Sequence, residues 1–338
     1  LRKAVLEMFF TVSHFQEMWE GRDEDYKLYA RIAEDERLKI KLLCLHPGRM
    51  LKECHRRAVG GVLFSATLFP MDYYKELLGG DKKDGEIIAK SIFPLENRRI
   101  FVSRDTTSGF DERTDENDEK IASYIYRTVK AHQGNYMVFF PSFEFAGRVE
   151  NVLKKRFAPV VFELLMQKES MSEREREDFL NRFRSAGKIG GDAAEGQYLL
   201  PGLAHIKRSV VGFCVLGGIF SEGIDLVGEE LIGAIIVGGG IPYITKDREL
   251  IREYFDDHGG RGYEFAYQIP GINKVLQAAG RVIRNQTDTG MVLYLERRFL
   301  RPEYECYFPP HMKADEEVSL KVLQTKLGIF WNRLNGER

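Results

Sequence analysis

Apolar residues recur at helical spacing through the first stretch of the chain. Val5, Met8, Phe9, Val12, Phe15 and Trp19 are followed by Tyr26, Tyr29 and Ile32. This predicts two helices broken near Gly21, forming an arm over residues 1–38 or the edge of a bundle. The period then shortens. Lys39–Leu45 alternates into a short strand, His46-Pro47-Gly48 is a turn, and a helix covers about 49–58. Gly60-Gly61 feeds Val62-Leu63-Phe64, read as a short buried strand that ends in Ser65-Ala66-Thr67-Leu68.

Further on, six apolar runs predict strands: Ile100–Ser103, Tyr136–Phe140, Val160–Leu164, Val210–Leu216, Leu231–Val237 and Met291–Leu295. They are apolar on both faces, as a covered parallel sheet requires. Helices are expected between them. One covers Ile121–Lys130. A second, Glu144–Phe157, places Phe145, Val149, Val152, Leu153 and Phe157 on one side. A third opens on Ser172-Glu173-Arg174-Glu175, a capping-box pattern, and presents Phe179, Leu180 and Phe183. Strands alternating with helices define an α/β class with a doubly wound parallel sheet flanked by helices. A closing helix is expected over about Asp315–Leu334, with Phe330-Trp331 capping the core.

One stretch, residues 271–285, combines a core face with chemistry. On a helix at about 100° per residue, Gln277, Gly280, Arg281 and Arg284 fall on one side. Ile272, Val275, Leu276, Ala279, Val282 and Ile283 fill the other. Two readings share that pattern. One is a solvated basic face. The other is an anion clamp, since two planar guanidinium forks suit phosphate oxygens.

Loops after predicted strands carry the remaining candidates, because open α/β sheets bind ligands at the carboxyl ends of their strands. Ser65 and Thr67 follow the first short strand, where helix capping is the simpler role. Ser142 opens a helix after Tyr136–Phe140 and reads most simply as its cap, although a backbone phosphate fits the same helix start. Phe143 beside it suits the core or a stacked base. Gly217–Asp225 contains three glycines, which permit close approach to a ligand, and two carboxylates, Glu222 and Asp225. Gly238-Gly239-Gly240 reads as a turn.

Composition narrows the picture modestly. The chain has 338 residues, 43% hydrophobic, with a net charge of −1, so no global basic field points to nucleic acid. A locally basic groove remains open. Cys44, Cys54, Cys214 and Cys306 show no Cys-x-x-Cys pair and read as free thiols rather than metal ligands. The longest apolar runs are too short and glycine-broken to cross a bilayer, and no signal-peptide pattern is present. The expected location is cytoplasmic, nucleoid-associated in a bacterium. Gly191 and Gly196 have the spacing of a phosphate loop, but Gln197-Tyr198 replaces its Lys-Ser/Thr pair. No Asp-Glu-x-His occurs either.

Taken in order, Ser-Ala-Thr-Leu after a strand, Phe-Phe-Pro-Ser before a helix, Ser-Glu-Gly-Ile-Asp, and Gln-Ala-Ala-Gly-Arg-Val-Ile-Arg resemble motifs III to VI of superfamily 2 helicases. The closest resemblance is to the carboxyl-terminal part of the XPD/DinG family of ATP-dependent DNA helicases, over about residues 1–300. The resemblance implies a RecA-like sheet with an N-terminal helical arm. It assigns 1–38 to the return of an arch domain, 39–70 to the end of a first motor domain, and 71–338 to the second. It implies that Arg281 and Arg284 act as fingers on the ATP γ-phosphate, with Gln277 near the nucleotide or the attacking water. It puts Glu222, Gly223, Asp225 and Gly280 at the nucleotide cleft, Ser65 and Thr67 in coupling, and Ser142 and Phe143 on DNA. The implied cofactors are ATP and Mg, held mainly by a first motor half whose Walker lysine and Asp-Glu-x-His acid this chain lacks. An iron–sulfur cluster is possible in that missing part and none is expected here. The chain begins inside an apparent helix, which suggests a piece of a longer protein, inactive on ATP alone. The implied partners are that N-terminal motor domain, single-stranded DNA and forked duplex DNA, and no membrane. An RNA helicase, a non-unwinding translocase and a non-catalytic RecA-like binding module remain alternatives.

Overall fold

The computed structural model describes residues 2–32, 35–109, 112–157, 162–185, 209–221 and 223–336. The chain begins with α1 (Arg2–Glu20), β1 (Tyr26–Ile32), β2 (Leu38–Cys44), α2 (Gly48–His55) and α3 (Met71–Leu77). Next come β3 (Arg98–Ser103), α4 (Asp115–Ala131), β4 (Asn135–Phe140), α5 (Phe143–Arg156), β5 (Phe162–Met166) and α6 (Glu173–Ser185). Then follow β6 (Ser209–Val215), β7 (Gly233–Val237), α7 (Lys246–Asp257), α8 (Ile269–Ala279) and β8 (Gly290–Leu295). The chain closes with α9 (Pro302–Glu305), β9 (Glu316–Val318) and α10 (Leu323–Gly336). Packing divides it into two units. One runs to Ile87 and includes Pro242–Ile269; the other holds Ile88–Ile241 and everything from Pro270 onward. These divisions fall at other places than residues 38 and 70, where the motif order segments the chain.

The larger unit is built on a seven-stranded sheet in the order β5-β6-β4-β7-β8-β3-β9. Every ladder in it is parallel. Period-two alternation sends each strand's side chains to opposite faces. Tyr136, Val138 and Phe140 of β4 join one core with Ile121 and Ile125 of α4, Phe145, Val149 and Leu153 of α5, and Leu327 and Trp331 of α10. Met137 and Phe139 join a second core with Phe179 and Phe183 of α6 and Ile272, Val275 and Leu276 of α8. The expected two-sided apolar strands are thus present and covered.

Strand order places the chemistry. From β4 the chain moves outward to β5, returns to β6 beside β4, and then lays β7 on the other flank of β4. The direction of winding reverses there, so the loops after β4, β6 and β7 diverge and leave a crevice at their carboxyl ends.

The smaller unit contains an antiparallel hairpin of β1 and β2, from Tyr26↔Cys44 to Ile32↔Leu38. Asp247 of α7 accepts from Tyr29 and pairs with Lys41. Phe255 of α7 stacks on Phe265 at 3.9 Å, and Tyr73 of α3 lies 4.8 Å from the same ring.

The structure corrects three expectations about elements and leaves the expected start of a fourth outside the described residues. Tyr26–Ile32 is a strand, because Tyr26, Leu28, Ala30 and Ile32 alternate against Cys44, Leu42, Ile40 and Leu38. Their three-residue spacing had suggested a helix. Val62-Leu63-Phe64 forms no strand and is exposed. No described strand pairs with it, and an unpaired extended segment has no ladder to hold it. β5 starts at Phe162, while Val160 and Val161 lie outside the described residues. Finally, the closing helix begins at Leu323 rather than near Asp315. Asp315 is bound to β3 through both its backbone and its carboxylate, which accepts the Ile100 N–H at 2.7 Å. That contact starts β9 as an edge strand on β3.

Phe140 is fully buried, 4.7 Å from the Phe213 ring and 6.0 Å from Phe145. Phe140→Ala should cost about 3–5 kcal/mol in a urea denaturation curve, since the strands around the cavity cannot collapse.

Candidate functional site

The stretch singled out in the sequence is helical only in its first part. α8 ends at Ala279, and residues 280–288 form a turn. This corrects the expectation of a helix to residue 285. The ladder first tightens, with Arg281 N–H donating to Ala278 O at 3.3 Å and Val282 N–H to Ala279 O at 3.5 Å, and competition for backbone donors then keeps the helix from resuming. Asp288 Oδ2 accepts the N–H of Arg284 at 2.7 Å and of Asn285 at 2.9 Å, where a continuing helix would have donated to Gly280 and Arg281 carbonyls. Asn285 Oδ1 in turn accepts the N–H of Thr287 and of Asp288, each at 2.9 Å. Gly280, the weakest helix former of the stretch, sits where the helix breaks.

The two guanidiniums still converge, on a loop rather than along a helix face. Arg281 donates from Nε to Ser221 O at 3.1 Å and from Nη1 to Ile224 O at 2.9 Å. Arg284 donates from Nη2 to the same Ile224 O at 3.0 Å, and its Nη1 lies 3.8 Å from Asp225 Oδ1. Arg284 Nε is buried with no hydrogen-bond partner. One carbonyl oxygen therefore carries both arginines.

Two further arginines, which the sequence pattern did not single out, hold the same loop. Arg176 of α6 donates to Gly223 O at 3.4 Å, and Arg184 donates to Asp225 O at 3.0 Å. No pattern in a single sequence marks them, because α6 reads as a charged outer helix. Gly223 has φ +71, a left-handed conformation that glycine adopts without strain. Phe220, stacked 4.3 Å from Phe179, and fully buried Ser221 anchor the start of the loop.

The other expected residues are distributed. Gln277 lies within α8, half-buried, one turn before the clamp. Gly280 is exposed at the helix end. Asp225 is exposed beside Arg284. Glu222 lies outside the described residues. Ser142 caps α5, its Oγ accepting the Phe145 N–H at 3.2 Å, and Phe143 is half-buried at the helix start. Ser65 and Thr67 belong to the smaller unit and lie on its Gly60–Pro70 loop, Thr67 N–H donating to Ser65 Oγ at 3.3 Å.

A second polar cluster stands at the carboxyl end of β8. Glu296 is fully buried and accepts Ser108 N–H at 3.0 Å and Ser108 Oγ–H at 2.9 Å. Arg298 donates to it from Nε at 2.9 Å and Nη2 at 2.7 Å. Burial pushes the Glu296 carboxyl up. The Arg298 hydrogen bonds and charge, with the two Ser108 donors, outweigh that, and the net shift is downward. The residue after a barrel- or sheet-ending strand was the signal that could have found it.

A parallel sheet wound this way, with arginines on the loop at its reversal point, is that of a RecA-like motor domain. The profile of the helicase C-terminal domain family matches residues 125–315. The chain belongs to that family, within the XPD/DinG group of superfamily 2 helicases. It is similar to a probable ATP-dependent helicase of Methanocaldococcus jannaschii, 26% identical over 261 residues, covering 74% of this chain and 36% of that protein. It is also similar to the ATP-dependent DNA helicase XPD of Sulfolobus acidocaldarius, 24% identical over 254 residues, covering 70% of this chain and 39% of that one. A solved XPD helicase structure matches its fold with a TM-score of 0.61 at 19% identity, covering 94% of this chain and 50% of that chain. The chain thus spans well under half the length of these curated relatives. The resemblance seen in the motif order and the RecA-like fold are both borne out. No helix among the described residues is long and apolar enough to cross a membrane.

The Glu296 cluster yields a pH-dependent expectation. Its folded pKa lies below the unfolded value of about 4.3, so its stabilisation is full above that value and fades as pH falls through the folded pKa. Glu296→Gln should therefore lose on the order of 3 kcal/mol at pH 7, leaving Arg298 without its carboxylate. The gap to wild type should narrow below pH 4. Denaturant midpoints at the two pH values measure it.

Proposed function

We propose that this chain is the carboxyl-terminal motor half of an ATP-dependent DNA helicase, coupling ATP hydrolysis to translocation on single-stranded DNA and to unwinding of forked duplex. The observation that carries the reading is the meeting of Arg281 and Arg284 on Ile224 O at the sheet's reversal point. In this reading both arginines face the γ-phosphate of ATP bound by an N-terminal motor half. Fixed positive charge aimed at a transferring phosphoryl group stabilises the charge that spreads over its oxygens.

The residues present fit an anion. The buried Arg284 Nε still lacks an acceptor, a donor that a phosphate oxygen satisfies. Among the described residues no group of three or more acidic, His or Cys side chains could hold a metal ion. In this reading Mg and most of the nucleotide are held by the N-terminal half, as is any iron–sulfur cluster. Gln277 contacts the nucleotide or the attacking water, and the Gly223–Asp225 loop, with Glu222 and Gly280, lines the cleft. Ser65 and Thr67 couple hydrolysis to movement. Residues 1–38 return from an arch, 39–70 end the first motor domain, and the sheet from β3 onward forms the second.

DNA meets the α5 start at Ser142 and Phe143. With Ser142 Oγ committed to its cap, the contact there falls to backbone N–H groups and to the half-buried Phe143 ring. Such contacts read backbone and base faces rather than sequence, so binding is salt-sensitive. The names of the relatives, both ATP-dependent helicases and one a DNA helicase, support this assignment.

In a polypeptide that joins this chain to its nucleotide-binding half, Arg281→Ala should lower DNA-stimulated ATPase kcat about 10²–10³-fold, the loss seen when one transition-state donor is removed. An unchanged rate removes the finger assignment. RNA stimulating hydrolysis as well as DNA would reassign the substrate.

A further inference from the structure

The carboxylate of Asp288 joins the two segments that the arginines also join. Its side chain is buried, with the residue only 2% exposed. Oδ2 accepts the Arg284 and Asn285 N–H groups, and Oδ1 accepts the N–H of Gly228 at 3.1 Å. Gly228, with φ +60, lies at the far end of the loop whose near end Arg281 and Arg284 grip at Ile224 O. Residues 221–228 and 281–288 are thus fastened to each other at two places. One fastening uses guanidinium donors on a backbone carbonyl. The other uses a carboxylate on backbone N–H groups. Hydrogen bonds with an ionised partner are the stronger kind.

We propose that Asp288 is a positioning residue for Arg284. The inference rests on the reading of Arg284 as a phosphate-facing residue. Asp288 acts through backbone in two ways. It takes the Arg284 and Asn285 N–H groups out of the helical pattern and keeps α8 from resuming past its end at Ala279, so that the Arg284 guanidinium swings onto the loop instead of projecting along a helix face. It also fixes Gly228, which keeps the Ile224 carbonyl in register under both arginines. Without Asp288 the Arg281–Asn285 backbone regains a helical alternative, and the guanidinium leaves its line to the phosphate. A displacement of about 1 Å at a catalytic group can cost 10²-fold in rate.

The test is steady-state DNA-stimulated ATPase of the polypeptide carrying both motor halves, with Asp288→Ala, Asp288→Asn, Arg284→Ala and the double variant Asp288→Ala/Arg284→Ala. Asp288→Ala should lower kcat about 10–100-fold, with KM for ATP within about twofold because ground-state binding is untouched. Asp288→Asn keeps one carbonyl oxygen as acceptor and should recover part of that loss. The double variant should be no slower than Arg284→Ala alone, since residues acting as one unit are not additive. Wild-type kcat in Asp288→Ala, or a double variant that multiplies the two single losses, overturns the proposal. Should Asp288→Ala fail to fold, Asp288→Asn takes its place. Its kcat loss must then appear in the wild-type background and vanish on Arg284→Ala. An Arg284→Ala enzyme with undiminished ATPase withdraws the clamp reading itself. A slow Arg284→Ala beside a normal Asp288→Ala withdraws this inference alone.

Discussion

Parallel strands need long crossovers, and the crossovers lay helices over both faces of the sheet. Every strand must therefore be apolar on its odd and its even positions at once. β4 meets this demand most fully. Its Tyr136, Val138 and Phe140 fill one core and its Met137 and Phe139 the other. It also carries two ladders, to β6 and to β7. Because the chain winds outward from β4 on one side and returns on the other, the crevice at the carboxyl edge follows from strand order alone. The Ser142 cap and the buried Glu296 lie at carboxyl ends of these strands, while Arg281 and Arg284 lie on the turn from α8 into β8 and reach the loop that follows β6.

Much of the larger unit was legible for that reason. Two-sided apolar runs announce a covered parallel sheet, and six of its strands were placed within about two residues at their starts or ends. The seventh, β9, was hidden. Glu316-Glu317-Val318 has no apolar run, and its ladder with Phe101–Ser103, begun by the Asp315 contacts with Ile100, makes it a strand. The smaller unit was less legible. Tyr26, Tyr29 and Ile32 satisfy a helical spacing while Tyr26, Leu28, Ala30 and Ile32 satisfy an alternating one, and the partner strand decides between them. Val62-Leu63-Phe64 has strand composition, but composition supplies no hydrogen-bonding neighbour.

At the proposed site, the grouping of residues was legible and local geometry was not. Periodicity grouped Arg281 and Arg284, which both donate to Ile224 O, yet on a helix that stops before either one. The deciding signal was turn chemistry in Asn285-Gln286-Thr287-Asp288, where two short acceptors compete for helix donors. An apolar period running through Val282 and Ile283 masked it. Val282 does reach the core, so burial and helix parted company at a position where they usually agree.

Net charge misleads about such a site unless it is resolved in space. The chain carries −1 overall, but four arginines from two segments surround one loop, bound mostly to neutral carbonyl oxygens. The acidic partners of three of them stand off. Arg284 lies 3.8 Å from Asp225, Arg184 3.5 Å from Glu230, and Arg176 3.9 Å from Glu173. Exposed pairs at such distances contribute about 0–1 kcal/mol and leave the charge only weakly compensated. Carbonyl dipoles orient a guanidinium without neutralising it. A loop that presents successive carbonyls to Arg176, Arg184 and Arg284 therefore keeps their positive charge fixed in direction. Had carboxylates held these three at close range instead, their geometry would be as firm and their charge largely neutralised.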